Sequence, residues 1–266
     1  MTLQYEAIKC EHGHQQSVKD HLMVEEALQI NINQEPFTVI MQSPGDELDL
    51  ARGLLYAEDI ARKDNDKYDF QLGERNELGH ITTVNVQANE TDLGTGYKNS
   101  RSLLSVSSCG ICGKRELGDL AVSGEKISTQ TKITLVKLQH MFAKMQEQQG
   151  VFALTGGSHA AALFTESEEL LALKEDVGRH NAVDKVIGLT LLNNSLSKAH
   201  YLLVSGRVSY EIVTKAFVAK TPILAAVSAP SSLAVDYAKE LGITLFGFCR
   251  DGRATCYANP ARLYTE

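Results

Sequence analysis

The sequence predicts an α/β protein with a C-terminal α/β/α domain built on a mainly parallel sheet. In the last third of the 266-residue chain, short apolar segments alternate with amphipathic helical segments. That alternation is the pattern of strands that are buried on both faces of a parallel sheet. The first 100 residues instead have short segments between polar turns, which predicts a smaller N-terminal α+β domain. We expect this domain at 1–105, a loop and linker at 106–133, and the α/β/α domain at 134–266.

The N-terminal part is expected to contain two strands, a helix and a hairpin. Residues 1–22 are polar and predict only a loose lead-in. The segment ALQININQEPFTVIMQ predicts two strands around a polar turn at 33–35. A helix follows in SPGDELDLARGLLYAEDI, where Ser43 or Asp46 can cap the first turn and leucines recur at helical spacing. Residues 66–98 predict a β-hairpin.

From residue 134 the predicted order is helix, hairpin, helix, strand, helix, strand, helix, strand. The segment TLVKLQHMFAKMQEQQG is an amphipathic helix that we expect to stop at Gly150. A hairpin follows in HAAALFTESEELLALKED, and a helix in GRHNAVDKVIGLTLLNN that Asp176 can cap. This order resembles the cytidine-deaminase-like fold. The Pro-Cys-x-x-Cys pair of the deaminases is missing, so their zinc chemistry is not expected.

Composition and charge indicate a soluble, cytoplasmic protein. The formal net charge is -7, which argues against a general nucleic-acid or membrane surface. No run of about 18 apolar residues is present, and the polar N-terminus lacks the apolar core of a signal peptide. In the cytoplasm, a CxxC pair is more often catalytic or metal-binding than a structural disulfide.

The carboxyl ends of the predicted parallel strands form a candidate phosphate-binding edge. Glycines let a ligand approach the backbone, helix N-termini favour anions, and arginines bind phosphate in a fork. These ends carry Ser205-Gly206-Arg207, Ser228-Ala229-Pro230-Ser231 and Cys249-Arg250-Asp251-Gly252-Arg253. Four further polar residues are site candidates to which the sequence assigns no role: His159, Asp176, Arg179 and His180. Asp176, His180 and Asp184 are expected to share one helix face.

The stretch SSCGICGK contains Cys109 and Cys112, and several functions fit it. A zinc site needs four ligands, but Cys249 and Cys256 are spaced C-x6-C, which is not a usual second pair. A thioredoxin-type pair opens a long helix, whereas KRELGDL predicts a short one. A structural role stays open. A nucleophilic sulfur also fits, because glycines keep the loop accessible and the following Lys-Arg pair favours a thiolate.

Seven segments in order resemble the FdhD family of formate dehydrogenase accessory sulfurtransferases. They are SPGDELDLARGLLYAEDI, SSCGICGK, TGGSHAAALF, EDVGRHNAVDKVIG, VSGRVSYEIVTKAF, PILAAVSAPSSLAV and GITLFGFCRDGR. The resemblance implies that Cys109 carries a persulfide received from a cysteine desulfurase, with Cys112 in support. It also implies that the sulfur passes to the molybdenum bis-molybdopterin guanine dinucleotide cofactor before the cofactor is inserted into formate dehydrogenase.

The resemblance further implies a cofactor-binding segment, a homodimer and no permanent metal. The segment comprises Phe248, Cys249, Arg250, Asp251, Gly252 and Arg253. One alternative of another class is a non-catalytic zinc- or nucleotide-binding chaperone that delivers the cofactor without sulfur chemistry. A nucleobase deaminase is a second alternative, and the missing zinc ligands disfavour it.

Overall fold

The computed structural model describes residues 2–100 and 125–264. Within these residues the chain forms three sheets and seven α-helices. The strands are β1 (Thr2–Glu11), β2 (His14–Met23), β3 (Glu26–Ile32), β4 (Glu35–Gln42), β5 (Tyr68–Leu72), β6 (Thr83–Ala88), β7 (His159–Phe164), β8 (Leu170–Asp176), β9 (Tyr201–Val204), β10 (Ile223–Ala226), β11 (Thr244–Arg250) and β12 (Arg253–Ala258). The helices are α1 (Glu47–Ala57), α2 (Thr95–Ser100), α3 (Leu135–Glu147), α4 (Gly150–Thr155), α5 (Arg179–Leu192), α6 (Tyr210–Val218) and α7 (Ser232–Leu241).

The N-terminal sheet has the order β4-β3-β6-β5 and packs against α1. The predicted strand pair is confirmed, because β3 and β4 are antiparallel neighbours joined by a turn at Asn33 and Gln34. Both turn residues have positive φ, which matches the right-handed twist of a two-residue hairpin. The predicted hairpin β5–β6 is also confirmed, and β6 pairs in parallel with β3. Apolar side chains from one face of this sheet make a continuous core with α1.

Residues 2–22 do not form the loose lead-in that the sequence predicts for 1–22. They form most of a long antiparallel hairpin, β1–β2, which turns at His12 and Gly13, both with positive φ. Nearly every side chain of this hairpin is exposed or half-buried. The prediction was wrong because it did not use the alternation Leu3-Gln4-Tyr5-Glu6-Ala7, which is a strand pattern even though β1 buries no apolar face.

The C-terminal sheet has the order β12-β11-β10-β9-β7-β8. Strands β9, β10 and β11 are parallel, and β7 is antiparallel to both of its neighbours, so β8 runs in the direction of β9. The carboxyl ends of β8, β9, β10 and β11 therefore lie at the same end of the sheet. We call this carboxyl end of the sheet the strand edge. Helices α5, α6 and α7 cover one face and begin at this edge, while α3 covers the other face. The predicted strand–helix alternation is confirmed.

The helix α3 ends at Glu147, before the predicted stop at Gly150. Gly150 instead opens a second short helix, α4. The carboxylate of Glu175 accepts hydrogen bonds from the Val151 and Phe152 N–H groups, at 2.9 and 2.7 Å. This carboxylate satisfies first-turn donors that would otherwise have no partner, so a new helix can start where the sequence predicts only an end.

Helices α1 and α5 cross at two glycines, which bring the two backbones into contact. A Cβ atom added to Gly53 would lie 1.8 Å from the Asp184 carbonyl oxygen, and one added to Gly188 would lie 1.8 Å from the Asp49 carbonyl oxygen. These are backbone atoms, so no flexible side chain can move to relieve the clash. The crossing joins the helix of the N-terminal sheet to the C-terminal sheet. The predicted domain boundaries stay a prediction, and the first lies outside the described residues.

We expect Gly188→Ala to destabilise the protein by about 1–3 kcal/mol or more. Alanine ordinarily stabilises a helix by up to about 1 kcal/mol relative to glycine, so the clash must separate α1 from α5 to reverse that sign. Urea denaturation followed by circular dichroism measures the change. Gly150→Ala is the matched control, because nothing lies within 4 Å of its added Cβ. Equal unfolding midpoints for Gly188→Ala and Gly150→Ala would show that the close contact between α1 and α5 does not contribute to stability.

Candidate functional site

The hairpin tip between β11 and β12 extends beyond the strand edge. The β10–β11 pairing ends at Ala225 and Phe246, and β11 continues to Arg250 paired only with β12. The Phe248 N–H donates to the Ser228 carbonyl at 3.1 Å, which anchors the start of this extension. At the tip, Asp251 and Gly252 have φ of 53° and 74°. This tight reversal leaves Arg250 and the charged groups after it exposed to solvent.

Cys249 differs from the other residues of the predicted binding segment. Its side chain is 6% exposed and packs into the core between α3 and the sheet. Burial raises the pKa of its thiol to about 12, so the sulfur stays protonated and unreactive. Any contact of Cys249 with a ligand at the tip would therefore use its backbone. That the six residues of the predicted binding segment, 248–253, bind a ligand stays a prediction.

An apolar cavity of about 320 Å³ lies beside the hairpin. It was not predicted from the sequence, because its walls come from three distant parts of the chain. A bridge between Ile133 and Leu263 brings the C-terminal residues against the start of α3. Ala254, which follows Arg253 directly, lines the cavity, so the cavity adjoins the charged tip. The lining residues are Thr134, Leu135, Val136, Leu138, Phe246, Ala254, Leu263 and Tyr264.

A second cluster, which we call the basic pocket, consists of His159, Arg179, Gly206 and Arg207. The β7–β9 pairing of Ala161 with Val204 brings the start of β7 to the carboxyl end of β9. A Cβ added to Gly206 would lie 3.1 Å from His159 Nδ1 and 3.4 Å from the Arg179 Cβ. The structure thus brings together His159, Arg179 and Gly206, which the sequence analysis identified in three separate segments.

The electrostatic environment of the basic pocket is positive. Burial, followed by Arg179, lowers the pKa of His159; Asp176 opposes this shift, and Arg207 lowers the pKa by a smaller amount than Asp176 raises it. In the part of the chain that the structure describes, neither arginine has a carboxylate within ion-pair distance. The arginine charges are therefore available to a ligand.

His180 lies beside this pocket and stays neutral at physiological pH. Burial, followed by Lys215, Arg179 and His159, lowers its pKa to about 3. Its Nε2 atom is 3.2 Å from Ser209 Oγ and 4.0 Å from Glu211 Oε2. A neutral imidazole can donate a hydrogen bond through one ring nitrogen and accept one through the other without adding charge to the strand edge.

We expect stability to fall as the pH drops below 6.5, partly because of His180. The unfolded chain takes up a proton near the ordinary pKa of 6.5, whereas the folded chain takes it up only near 3. The stabilisation is therefore full above pH 6.5 and declines by at most about 2 kcal/mol between pH 6.5 and 5. His180→Gln should flatten this decline when urea unfolding is compared at about pH 7.5 and about pH 5. If the free energy of unfolding falls equally between these two pH values in wild type and variant, His180 does not cause the decline.

Asp176 is not the helix cap that the sequence predicts. It is the last residue of β8, and Gly178 occupies the N-cap position of α5. Its buried carboxylate accepts from the Ser43 and Gly178 N–H groups, at 3.0 and 2.7 Å, and pairs with Lys185 at 2.7 Å.

Asp176, His180 and Asp184 therefore do not share one helix face. Asp184 pairs instead with Lys215 of α6, at 2.6 Å. Asp176 and Asp184 thus link β8 to α5 and α5 to α6. These structural ion pairs account for much of the polar character of residues 175–185.

Cys109 and Cys112 lie outside the described residues. Of the other three cysteines, Cys10 is exposed, Cys256 is half-buried and Cys249 is buried. Within 2–100 and 125–264, no cluster of three or more His, Cys, Asp or Glu side chains could hold a metal. In the same ranges, no helix is both long and apolar enough to cross a bilayer.

The fold and the site define a mixed α/β protein with a basic strand edge and an exposed arginine-bearing hairpin. The model of the FdhD/NarQ family matches residues 23–264. A sulfur carrier protein FdhD from Sulfolobus acidocaldarius is 41% identical over 258 residues, which cover 96% of each chain. One from Streptomyces coelicolor is 39% identical over 270 residues, covering 99% of this chain and 96% of the relative. The chain belongs to the FdhD/NarQ family.

A solved structure supports the fold. It is that of a candidate formate dehydrogenase accessory protein from Desulfotalea psychrophila, with a TM-score of 0.77 over 99% of both chains. The two sequences are 20% identical, so this likeness bears on the fold alone.

Proposed function

We propose that this protein is a sulfur carrier for formate dehydrogenase. In the proposed reaction, Cys109 takes sulfur as a persulfide from a cysteine desulfurase. The sulfur then passes to the molybdenum bis-molybdopterin guanine dinucleotide cofactor before its insertion into the enzyme. Family membership carries the proposal, because relatives about 40% identical over nearly the whole chain are named sulfur carrier proteins. A cytoplasmic homodimer with a deaminase-like C-terminal domain belongs to the same proposal.

The proposed chemistry balances with the two cysteines alone. The Cys109 thiolate attacks the outer sulfur of the donor persulfide, so a new S–S bond forms and the donor cysteine leaves as a thiolate. The Cys112 thiolate then attacks Cys109 sulfur, which forms a Cys109–Cys112 disulfide and releases the carried sulfur as sulfide for the cofactor. The two cysteines are oxidised as the outer sulfur is reduced. Two equivalents of a cellular thiol then reduce the Cys109–Cys112 disulfide through a mixed disulfide and are themselves oxidised to a disulfide.

The buried environments of two other cysteines, Cys249 and Cys256, support this choice of sulfur. Burial raises the pKa of Cys249 to about 12 and also raises the pKa of Cys256. A thiol that stays protonated is a poor nucleophile, so neither suits a carrier role. Cys10 is exposed on the β1–β2 hairpin, and its neighbours Lys9 and Glu11 pair with each other.

The hairpin tip supports the cofactor part of the proposal. Arg250 and Arg253 offer exposed positive charge, and the adjoining apolar cavity offers a surface for a flat heterocyclic ring. A guanine nucleotide carries both an anionic and a flat aromatic part. Such a pairing of a few polar groups with an apolar cavity is typical of ligand sites.

Mass spectrometry after incubation with a cysteine desulfurase and cysteine tests the proposal. We expect the mass of one extra sulfur atom, located on the peptide that contains Cys109 and removed by a thiol reductant. The peptides containing Cys10, Cys249 and Cys256 serve as internal controls and should stay unmodified. Added sulfur on one of these peptides instead of the Cys109 peptide would contradict the assignment of Cys109 as the carrier. Zinc bound through Cys109 and Cys112, without any added sulfur, would favour the metal-binding chaperone.

A further inference from the structure

The β1–β2 hairpin is a part of the fold that neither the proposed sulfur chemistry nor the strand edge explains. Its two strands form a separate sheet, and their pairing runs without a bulge from Thr2–Met23 to Glu11–His14. Neither strand contains proline, which often protects an exposed edge. A hairpin of two strands is only marginally stable in water unless a further strand or a helix covers it. The hairpin therefore needs a covering surface.

The two faces of the hairpin differ in their surroundings. Side chains alternate between the faces, so Thr2, His21 and Met23 share one face. These three side chains are half-buried, and β2 contacts the short helix α4 of the same chain. The hairpin therefore lies against its own chain with this face at its base. The opposite face points away from it.

The outward face of the hairpin is apolar over half of its length. Leu3 lies opposite Leu22 and Ala7 lies opposite Val18, with Tyr5 between the two pairs. The side chains of Leu3, Tyr5 and Leu22 are 41%, 51% and 48% exposed. Single exposed apolar residues are ordinary, but a contiguous group of them marks an interaction surface.

We propose that this outward face binds a second copy of the chain in a two-fold dimer with exchanged arms. The face of each hairpin lies against α4 of the other copy, where Phe152 and Leu154 are exposed. In a two-fold interface the same patch acts on both copies, so each hairpin is an arm and each α4 is a receiving surface. The dimer rests on the proposed function, and the hairpin adds the surface through which it forms.

The charges of the hairpin favour a second copy over a partner of opposite charge. Lys9 pairs with Glu11 at 2.8 Å, and Glu6 lies directly opposite Lys19. Against these pairs stands one further acidic residue, Asp20. A surface that meets itself must not carry a strong charge of one sign, because it would repel its copy. A strongly charged face would instead indicate an oppositely charged partner.

The length of the hairpin fits an exchange of two arms. Strands of 10 residues make the arm roughly 33 Å long, and two strands with their side chains make it roughly 10 Å wide. One face therefore covers roughly 330 Å², which is less than the roughly 600–1,000 Å² that each partner buries in a standard interface. Counted once as arm and once as receiving surface, the exchange buries roughly 650 Å² per copy, which reaches that range.

Sedimentation equilibrium of the full-length protein at about 1–100 µM, with a thiol reductant present, is the first test. We expect a dimer whose Kd rises about tenfold or more in Leu22→Glu and in Phe152→Glu, because each places a charge in an apolar contact. Leu78→Glu is the matched control, since Leu78 is also exposed but lies between β5 and β6. Ile8→Glu should leave the Kd unchanged as well, because Ile8 lies on the other face of the hairpin.

Several outcomes of this experiment would overturn the proposal. A wild-type protein that stays monomeric over the whole concentration range would show that the hairpin does not bind a second copy. An equal Kd in wild type, Leu22→Glu and Phe152→Glu would place the dimer contact elsewhere. Dissociation by Ile8→Glu or Leu78→Glu to the same extent as by Leu22→Glu would show that the outward face has no particular role.

A fluorescent reporter separates contact between copies from a change in folding. The sequence contains no tryptophan, so Tyr5→Trp places a single tryptophan on the outward face. Its emission should move to shorter wavelength as the protein concentration rises through the Kd, because the indole ring leaves water on dimerisation. Leu78→Trp should show no such shift. An emission maximum of Tyr5→Trp that does not depend on concentration would reject the outward face.

Persulfide formation on Cys109 tests the sulfur carrier separately. A dimer that dissociates in Leu22→Glu, without any persulfide on wild-type Cys109, would refute the sulfur-carrier proposal and leave the hairpin surface intact. A normal persulfide on Cys109, with the same dimer Kd in wild type and Leu22→Glu, would refute the hairpin surface alone.

Discussion

Replacing Cys109 with serine should reduce formate dehydrogenase activity to the level of a host that lacks the protein. Serine keeps the size of the side chain, but its hydroxyl cannot hold a persulfide. Because the proposed reaction carries the sulfur covalently on Cys109, the loss should be complete rather than graded. Formate oxidation in extracts of a deficient host, complemented with each variant at equal protein level, measures the effect.

Cys10→Ser is the matched control for this substitution. Cys10 is an exposed, free thiol on the β1–β2 hairpin, so its replacement tests whether the loss of an accessible cysteine is by itself enough to lower the activity. We expect full activity for Cys10→Ser. Substantial activity with Cys109→Ser, or equal loss in both variants, would contradict the assignment of Cys109.

The Cys112→Ser variant separates the loading of sulfur onto Cys109 from the release of that sulfur. The proposed role of Cys112 is to displace the sulfur by forming a disulfide, so this variant should still accumulate persulfide on Cys109. Its formate dehydrogenase activity should be lower than wild type, because external thiols must then release the sulfur. If Cys112→Ser prevents persulfide formation altogether, Cys112 acts in loading instead.

The C-terminal sheet was predictable because its strands have continuous apolar sequences and clear boundaries. The segments ending at Arg207, Ser231 and Arg253 alternate apolar strands with amphipathic helices, and parallel strands place their carboxyl ends at one edge. Ser231 caps α7 through its hydroxyl, and Gly242 ends the helix with φ of 77°. Local sequence alone determines these features.

Features that depend on contacts between distant segments were not predictable. The Gly53–Gly188 crossing relies on two glycines that each fit many other roles. The basic pocket forms because β7 is antiparallel to β9, which places His159 beside Gly206. Asp176 resembles a helix cap in sequence, yet it binds Ser43 and Lys185 because β8 ends against the start of α1. Strand order decides such pairings, and a single sequence does not reveal it.

The Lys185–Asp176 ion pair, between α5 and β8, is buried where these C-terminal elements meet Ser43. Both side chains are almost completely buried, and their charged atoms lie 2.7 Å apart. Lys185 Nζ also donates to the Ser43 carbonyl at 2.6 Å, and the Ser43 N–H donates to Asp176 at 3.0 Å. Ser43 lies between β4 and α1, so this triad connects the N-terminal elements to the end of β8.

Lys185→Met should destabilise the protein by about 3–5 kcal/mol, because it leaves the Asp176 carboxylate buried without its counter-charge. Such a loss is a large part of the roughly 5–15 kcal/mol that stabilises a typical domain. Urea denaturation measures it. Lys137→Met is the matched control: the Lys137–Glu168 pair spans 3.2 Å but is partly exposed, so its loss should cost at most about 1 kcal/mol.

The double variant Asp176→Asn/Lys185→Met decides whether the unpaired charge causes the loss. Asparagine removes the buried charge and keeps one oxygen, which can accept from the Ser43 N–H or from the Gly178 N–H but not from both, because these groups donate to different oxygens of Asp176. The double variant should therefore be more stable than Lys185→Met alone, with a coupling energy of about 1–3 kcal/mol. If the two substitutions are simply additive, the lost stability comes from packing around Lys185, and the ion pair does not fix the arrangement of β8 against α1.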